Sequence, residues 1–143
     1  MSLTYNQFLQ TVRGWWTSII LSGSTICKWS QVCLEDEMEL NTDERWPGMF
    51  ITPQLWSQKN EDLASYTCRI YLVAIINPDR SDRFQQISIL NEWVQAALQN
   101  IPDEFNGIQW PIQITPIVLW DLQGDGLYLD ITVTNQNPCY ITP

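Results

Sequence analysis

The sequence contains no histidine and only 7 lysines and arginines against 16 aspartates and glutamates, giving a net charge of −9. From Phe84 to Pro143 there is no cation at all, although Glu92, Asp103, Glu104, Asp121, Asp125 and Asp130 remain. Proteins that hold nucleic acid do so largely by neutralising phosphates with lysine and arginine, so this composition excludes a phosphate grip and repels anionic partners. Without histidine, a serine or cysteine nucleophile lacks its usual base, and Lys28 and Lys59 are the only lysines available to replace it. The six glycines form neither a G-x-G-x-x-G nor a Walker pattern, which removes the common phosphate loops. No enzyme activity and no cofactor are expected.

Other absences narrow the class further. The longest apolar run, Ile70 to Ile76, falls far short of the ~20 residues that span a bilayer and suits a buried strand, so no membrane association is expected. Met1 to Gln10 is polar, with no basic stretch leading into an apolar one, which predicts a chain that stays in the cytoplasm. Cys27, Cys33, Cys68 and Cys139 include no C-x-x-C pair. A zinc site would need all four thiolates at irregular spacing, so reduced, mostly buried cysteines are the expectation.

What is present is globular. The length of 143 residues fits one domain, residues 1–143, able to bury roughly two thirds of its unfolded surface. Aromatic residues make up 12% of the chain, with eight tryptophans, more than a core of this size requires. Some tryptophans are therefore available as anchors at an interface.

Phe8, Val12, Trp15, Trp16 and Ile19 recur at helical spacing, predicting a first helix between Thr4 and Leu21 that Ser22-Gly23 stops. From Thr25 to Asn41, Val32, Leu34, Met38 and Leu40 keep an even spacing that fits a solvated edge strand or hairpin. Trp46 to Trp56, bounded by Pro47 and Pro53, reads as a short edge strand. Tyr66 to Ile76 is apolar on both faces and reads as a central strand. Asn77-Pro78-Asp79 breaks it, and Asp79 or Ser81 caps a second helix running to about Asn100. Its predicted face is Phe84, Ile87, Asn91, Val94, Leu98 and Ile101. Pro102 to Pro111 reads as a loop. Ile112 to Asp121 and Leu127 to Thr134 read as strands around Leu122-Gln123-Gly124-Asp125-Gly126, with Pro116 marking a bulge or an edge. Leu127, Leu129, Ile131 and Val133 share the packed face of the last strand. The fold class is α+β, with two helices packed on a mainly antiparallel sheet of about five strands.

Four groups of residues are candidate sites. Asp121-x-Gln123-x-Asp125-Gly126 matches the opening of a calcium loop, but the closing position is Thr132 and both flanks are strand-like, so a tight turn is the default and no metal is expected. Glu35, Asp36, Glu37, Glu39, Asp43 and Glu44 put six acids into ten residues without a base. They form either an acidic surface or lumen that meets a basic partner, or a solvated loop. Asp103-Glu104 are adjacent and point apart, with no second catalytic group beside them. Trp29, Trp46, Trp56 and Trp110 fall in loops or at strand ends, so they are interface candidates, with packing under a loop as the alternative. Each anchor at an interface contributes about 2 kcal/mol or more.

The helix from Phe84 to Asn100, then I-Q-I-T-P-I-V-L-W-D and G-D-G-L-Y-L-D-I-T-V-T, resembles the tail-terminator and head-to-tail connector proteins of tailed bacteriophages. The resemblance is architectural and strongest over Phe84 to Thr134. It implies a homo-oligomeric ring of six or twelve copies at the neck of the virion, assembled in the host cytoplasm. The implied partners are portal or other neck and tail proteins, with genome DNA passing through without specific binding. No residue role carries over singly. Acidity fits such a conduit, because each cationic phosphate contact would slow the DNA. A second reading of the same charge is an acidic binding module that mimics DNA toward a basic host protein.

Overall fold

The computed structural model describes residues 3–39, 47–58, 63–75, 83–105, 107–119 and 124–136. Two helices pack on one face of a mainly antiparallel five-stranded sheet, an α+β fold with an additional two-stranded hairpin. The chain runs α1 (Tyr5–Thr17), β1 (Ile20–Leu21), β2 (Ser24–Thr25), β3 (Ser30–Val32), a 3-10 turn (Glu35–Glu37), β4 (Gly48–Gln58), β5 (Ala64–Ile75), α2 (Arg83–Leu98), β6 (Ile114–Leu119) and β7 (Gly124–Gln136). The sheet order is β3-β4-β5-β7-β6, with only β3 and β4 parallel. No described helix is long and apolar enough to cross a membrane.

Helix α1 starts where its sequence supplies a reciprocal cap. Thr4 Oγ1 accepts from Gln7 N–H at 3.1 Å, and Gln7 Oε1 accepts from Thr4 N–H at 2.8 Å. Two of the N–H groups that every helix start leaves without a partner are thereby satisfied. The helix ends four residues before the predicted limit, because Thr17 and Ser18 hydroxyls donate to the Arg13 and Trp15 carbonyls. Ser22-Gly23 is not a helix stop. Both residues have positive φ, 54° and 81°, the signature of a type I′ turn, and they close the β1-β2 hairpin.

The main core lies between the helices and the sheet. Phe8, Val12, Trp15 and Trp16 of α1 and Leu90, Trp93, Val94 and Ala97 of α2 meet Met49, Ile51, Cys68, Ile70, Leu72 and the four packed-face residues of β7. Two indole donors fasten the helices together. Trp15 Nε1–H donates to Ala97 O at 2.8 Å, and Trp93 Nε1–H to Trp16 O at 3.0 Å. The predicted face of α2 is therefore rotated: Leu90 and Trp93 lie at its centre, whereas Asn91 is exposed and Phe84 is 78% exposed. Trp93 outweighs the residues of the regular 3- and 4-step pattern because its ring fills the space against Trp16 and its N–H has an acceptor.

Strand β4 corrects a second expectation. It runs 11 residues and sits inside the sheet rather than at its edge. Pro53 is tolerated because β3 covers only Met49 to Ile51. Met49 N–H and Ile51 O face β3 and its extension, so by strand alternation the proline nitrogen faces the side that β3 has already left. Strand β5 is the centre, as expected, and Pro116 lies in the edge strand β6 without breaking its register. The segment from Thr25 onward supplies β2, a three-residue parallel edge strand and a 3-10 turn rather than a long strand.

Gly124, Asp125 and Gly126 belong to β7, paired with Leu119, Val118 and Ile117, and are not part of the turn. The connection that remains, 120–123, lies outside the described residues, as does the predicted cap at Asp79 or Ser81. Gly126 is required for packing. A Cβ there would collide with the Leu72 carbonyl oxygen of the neighbouring β5.

Candidate interaction surface

The helices leave the opposite sheet face to be covered by the rest of the chain, and the cover is partial. At one end, Cys33, Phe50, Tyr71 and Val73 form a second apolar cluster with Trp29, Met38, Ile117 and Tyr128. The Trp29 ring stands edge-on to Phe50, with centroids 4.9 Å apart, and lies over Gly48, where any Cβ would strike it. Toward β6 the face is polar and open. Thr67, Arg69, Gln113, Thr115, Asp130 and Thr132 line a groove of about 430 Å³, which Gln109 and Pro111 border from the preceding loop.

Arg69 organises this face. Its partner Asp130 stands directly across the β5-β7 ladder. Arg69 donates from Nε to Asp130 Oδ1 at 2.8 Å and from Nη2 to Oδ2 at 3.3 Å, a forked pairing. The guanidinium also stacks on Tyr128, 4.5 Å from the ring centroid, and lies 3.7 Å from Glu35 Oε1. Tyr71 Oη donates to the same Glu35 oxygen at 2.8 Å. Hydrogen bonding to Asp130, more than any other cause, raises the Arg69 pKa. Burial raises that of Tyr71; the Arg69 contact lowers it, and Glu35 raises it further. Thr67 and Thr132, partners across the β5-β7 ladder, share a hydrogen bond of 2.8 Å.

The acidic run is divided. Glu35 is tied down to Arg69 and Tyr71, and Glu37 Oε1 accepts from Leu34 N–H at 2.8 Å. Asp36 and Glu39 are exposed, while Asp43 and Glu44 lie outside the described residues. Of the four candidate tryptophans, the side chains of Trp29 and Trp110 are described. Trp29 is largely taken up by the second cluster, which is the packing alternative. Trp110 is 57% exposed beside the groove and remains available to a partner. Trp46 and the Trp56 side chain lie outside the described residues.

Asp125 does not form a cation loop. It is 1% exposed in β7, and its Oδ2 accepts from Arg83 Nε at 2.5 Å. Asp121 and Gln123 lie outside the described residues, and among those described no group of three potential ligands is placed to hold a metal. Asp103 and Glu104 are exposed in the loop after α2. Cys27, Cys33 and Cys68 are free thiols, the last two buried, whereas Cys139 lies outside the described residues.

Sequence reasoning missed the cluster of Arg69, Tyr71, Asp130 and Glu35. Its signal was present, since Arg69 is the one charged residue in an otherwise apolar or hydroxylic strand. The partner, however, depends on ladder register. No protein-family model matches this chain, and no curated protein is significantly similar to it.

Proposed function

We propose that the protein is a virion structural subunit that forms a ring of six or twelve copies at the portal–tail joint of a tailed bacteriophage, an acidic conduit through which DNA passes without being held. The observation that carries this reading is how charge and apolar surface are distributed. Arg69 and Arg83 are committed to carboxylates within the chain, while Asp36, Glu39, Glu92, Asp103 and Glu104 are exposed. Large apolar side chains at Phe84 and Trp110 also face outward. Such a surface repels a phosphate backbone and favours contact between proteins. The two-helix, five-strand architecture is compatible with the connector resemblance.

The acidic-mimic reading draws less support. Glu35, Asp125 and Asp130 are paired to arginines of the same chain, so they do not stand free to imitate phosphates. Electron cryo-microscopy of the purified protein, alone and with its neck partners, is expected to show closed rings. A monomer in both settings contradicts the proposal.

A further inference from the structure

The four cations among the described residues divide two and two. Arg69 and Arg83 are paired to carboxylates. Arg13 and Lys28 have no ion pair among the described residues. Arg13 donates from Nε to Ser30 Oγ at 2.8 Å and from Nη2 to Ser30 O at 3.1 Å, and Lys28 Nζ donates to Thr25 O at 2.9 Å. Both line one open cleft of about 470 Å³ between the second half of α1 and the segment entering β3, together with Gly14, Thr17, Cys27 and Trp29. A chain of net charge −9 thus gathers its two carboxylate-free described cations around a single concavity.

Gly14 leaves the helix backbone bare at this cleft: no other described residue lies within 4 Å of where its Cβ would stand.

We propose that this cleft receives the exposed acidic turn of a second copy of the chain, with Asp36 and Glu39 facing Lys28 and Arg13. Charge complementarity selects the occupant, because the same subunit carries both the cationic socket and the acidic plug. Socket and plug are different patches, so the contact is head-to-tail, the kind that closes into a ring. The inference rests on the ring reading in taking another copy as the partner.

Two variants of the full chain test it. Lys28→Glu with Arg13→Gln reverses the socket, and Asp36→Lys with Glu39→Lys reverses the plug; Lys28, Asp36 and Glu39 are exposed. In sedimentation velocity each variant alone should lose self-association by about tenfold or more, since like charges across an interface oppose binding. A 1:1 mixture should recover it, because every contact in an alternating assembly then pairs opposite charges. Gly14→Leu should hold or raise the thermal midpoint, because glycine is the weaker helix former, while weakening assembly. Wild-type rings that persist in both charge variants, or a mixture no better than either variant, overturn the socket and leave the ring reading standing. A wild-type chain that stays monomeric alone and with neck partners overturns both.

Discussion

Arg83 and Asp125 show how a chain with few cations uses them inside its own fold. The carboxylate is 1% exposed and the arginine side chain 28%, so the two members of the pair are unequally replaceable. Arg83→Met removes one group that balances a buried charge and should cost up to about 3 kcal/mol. Asp125→Asn leaves an arginine that can turn toward water and should cost less. Urea midpoints of the two variants give the ranking, and the reverse order would contradict the pairing. The thiols supply a pH test. Burial pushes Cys27 from 9.0 up to about 11, against smaller opposing effects of hydrogen bonding with the Trp29 backbone and of the nearby Arg13 and Lys28. Burial likewise raises Cys33 and Cys68. In the unfolded chain these thiols ionise first, so the native state holds protons that the unfolded state has released. Stability is then complete below about pH 9 and falls as pH rises toward 11. The urea midpoint should decline across that window, less steeply in Cys27→Ala.

At the scale of elements, legibility followed how much of an element's pattern was its own. Strand β7 alternates in sequence as it does in space, and β5 from Ile70 to Ala74 is apolar on both faces because helices cover one side and the Phe50–Tyr71 cluster the other. Both could be read without their neighbours. The face of α2 could not, since Trp93 is buried by a partner indole on α1 rather than by periodicity. Pro53 misled in the same way: it marks a local edge, beyond the last residue of β3, within a strand that is otherwise interior. The Arg69–Asp130 pair was hidden because register is a property of two strands. Hydrogen exchange should reflect this hierarchy, with β5 and the middle of β7 slowest and β3 and β6, each bonded on one side only, fastest. Fast exchange across β5 would contradict the sheet order. At the start of α1, Thr4→Ala should cost about 1 kcal/mol through loss of the reciprocal cap, measured as a lower thermal midpoint.

For the whole molecule, the decisive feature among the described residues is a surface with exposed acids, exposed Phe84 and Trp110, and Arg69 and Arg83 paired within the fold. Replacing Trp110 by alanine should leave the fold intact, because its ring is mostly outside the core, and should weaken assembly if it anchors a neighbour, by about 2 kcal/mol per contact. Unchanged assembly would remove Trp110 from the interface. DNA retention on filters should be negligible even at low salt, where electrostatic binding is strongest. Native mass spectrometry of the purified wild-type chain is the most direct measurement: six or twelve multiples of the 16.7 kDa subunit are the expected masses, and a spectrum containing only the single subunit at every concentration, with or without neck partners, would contradict a ring-forming protein.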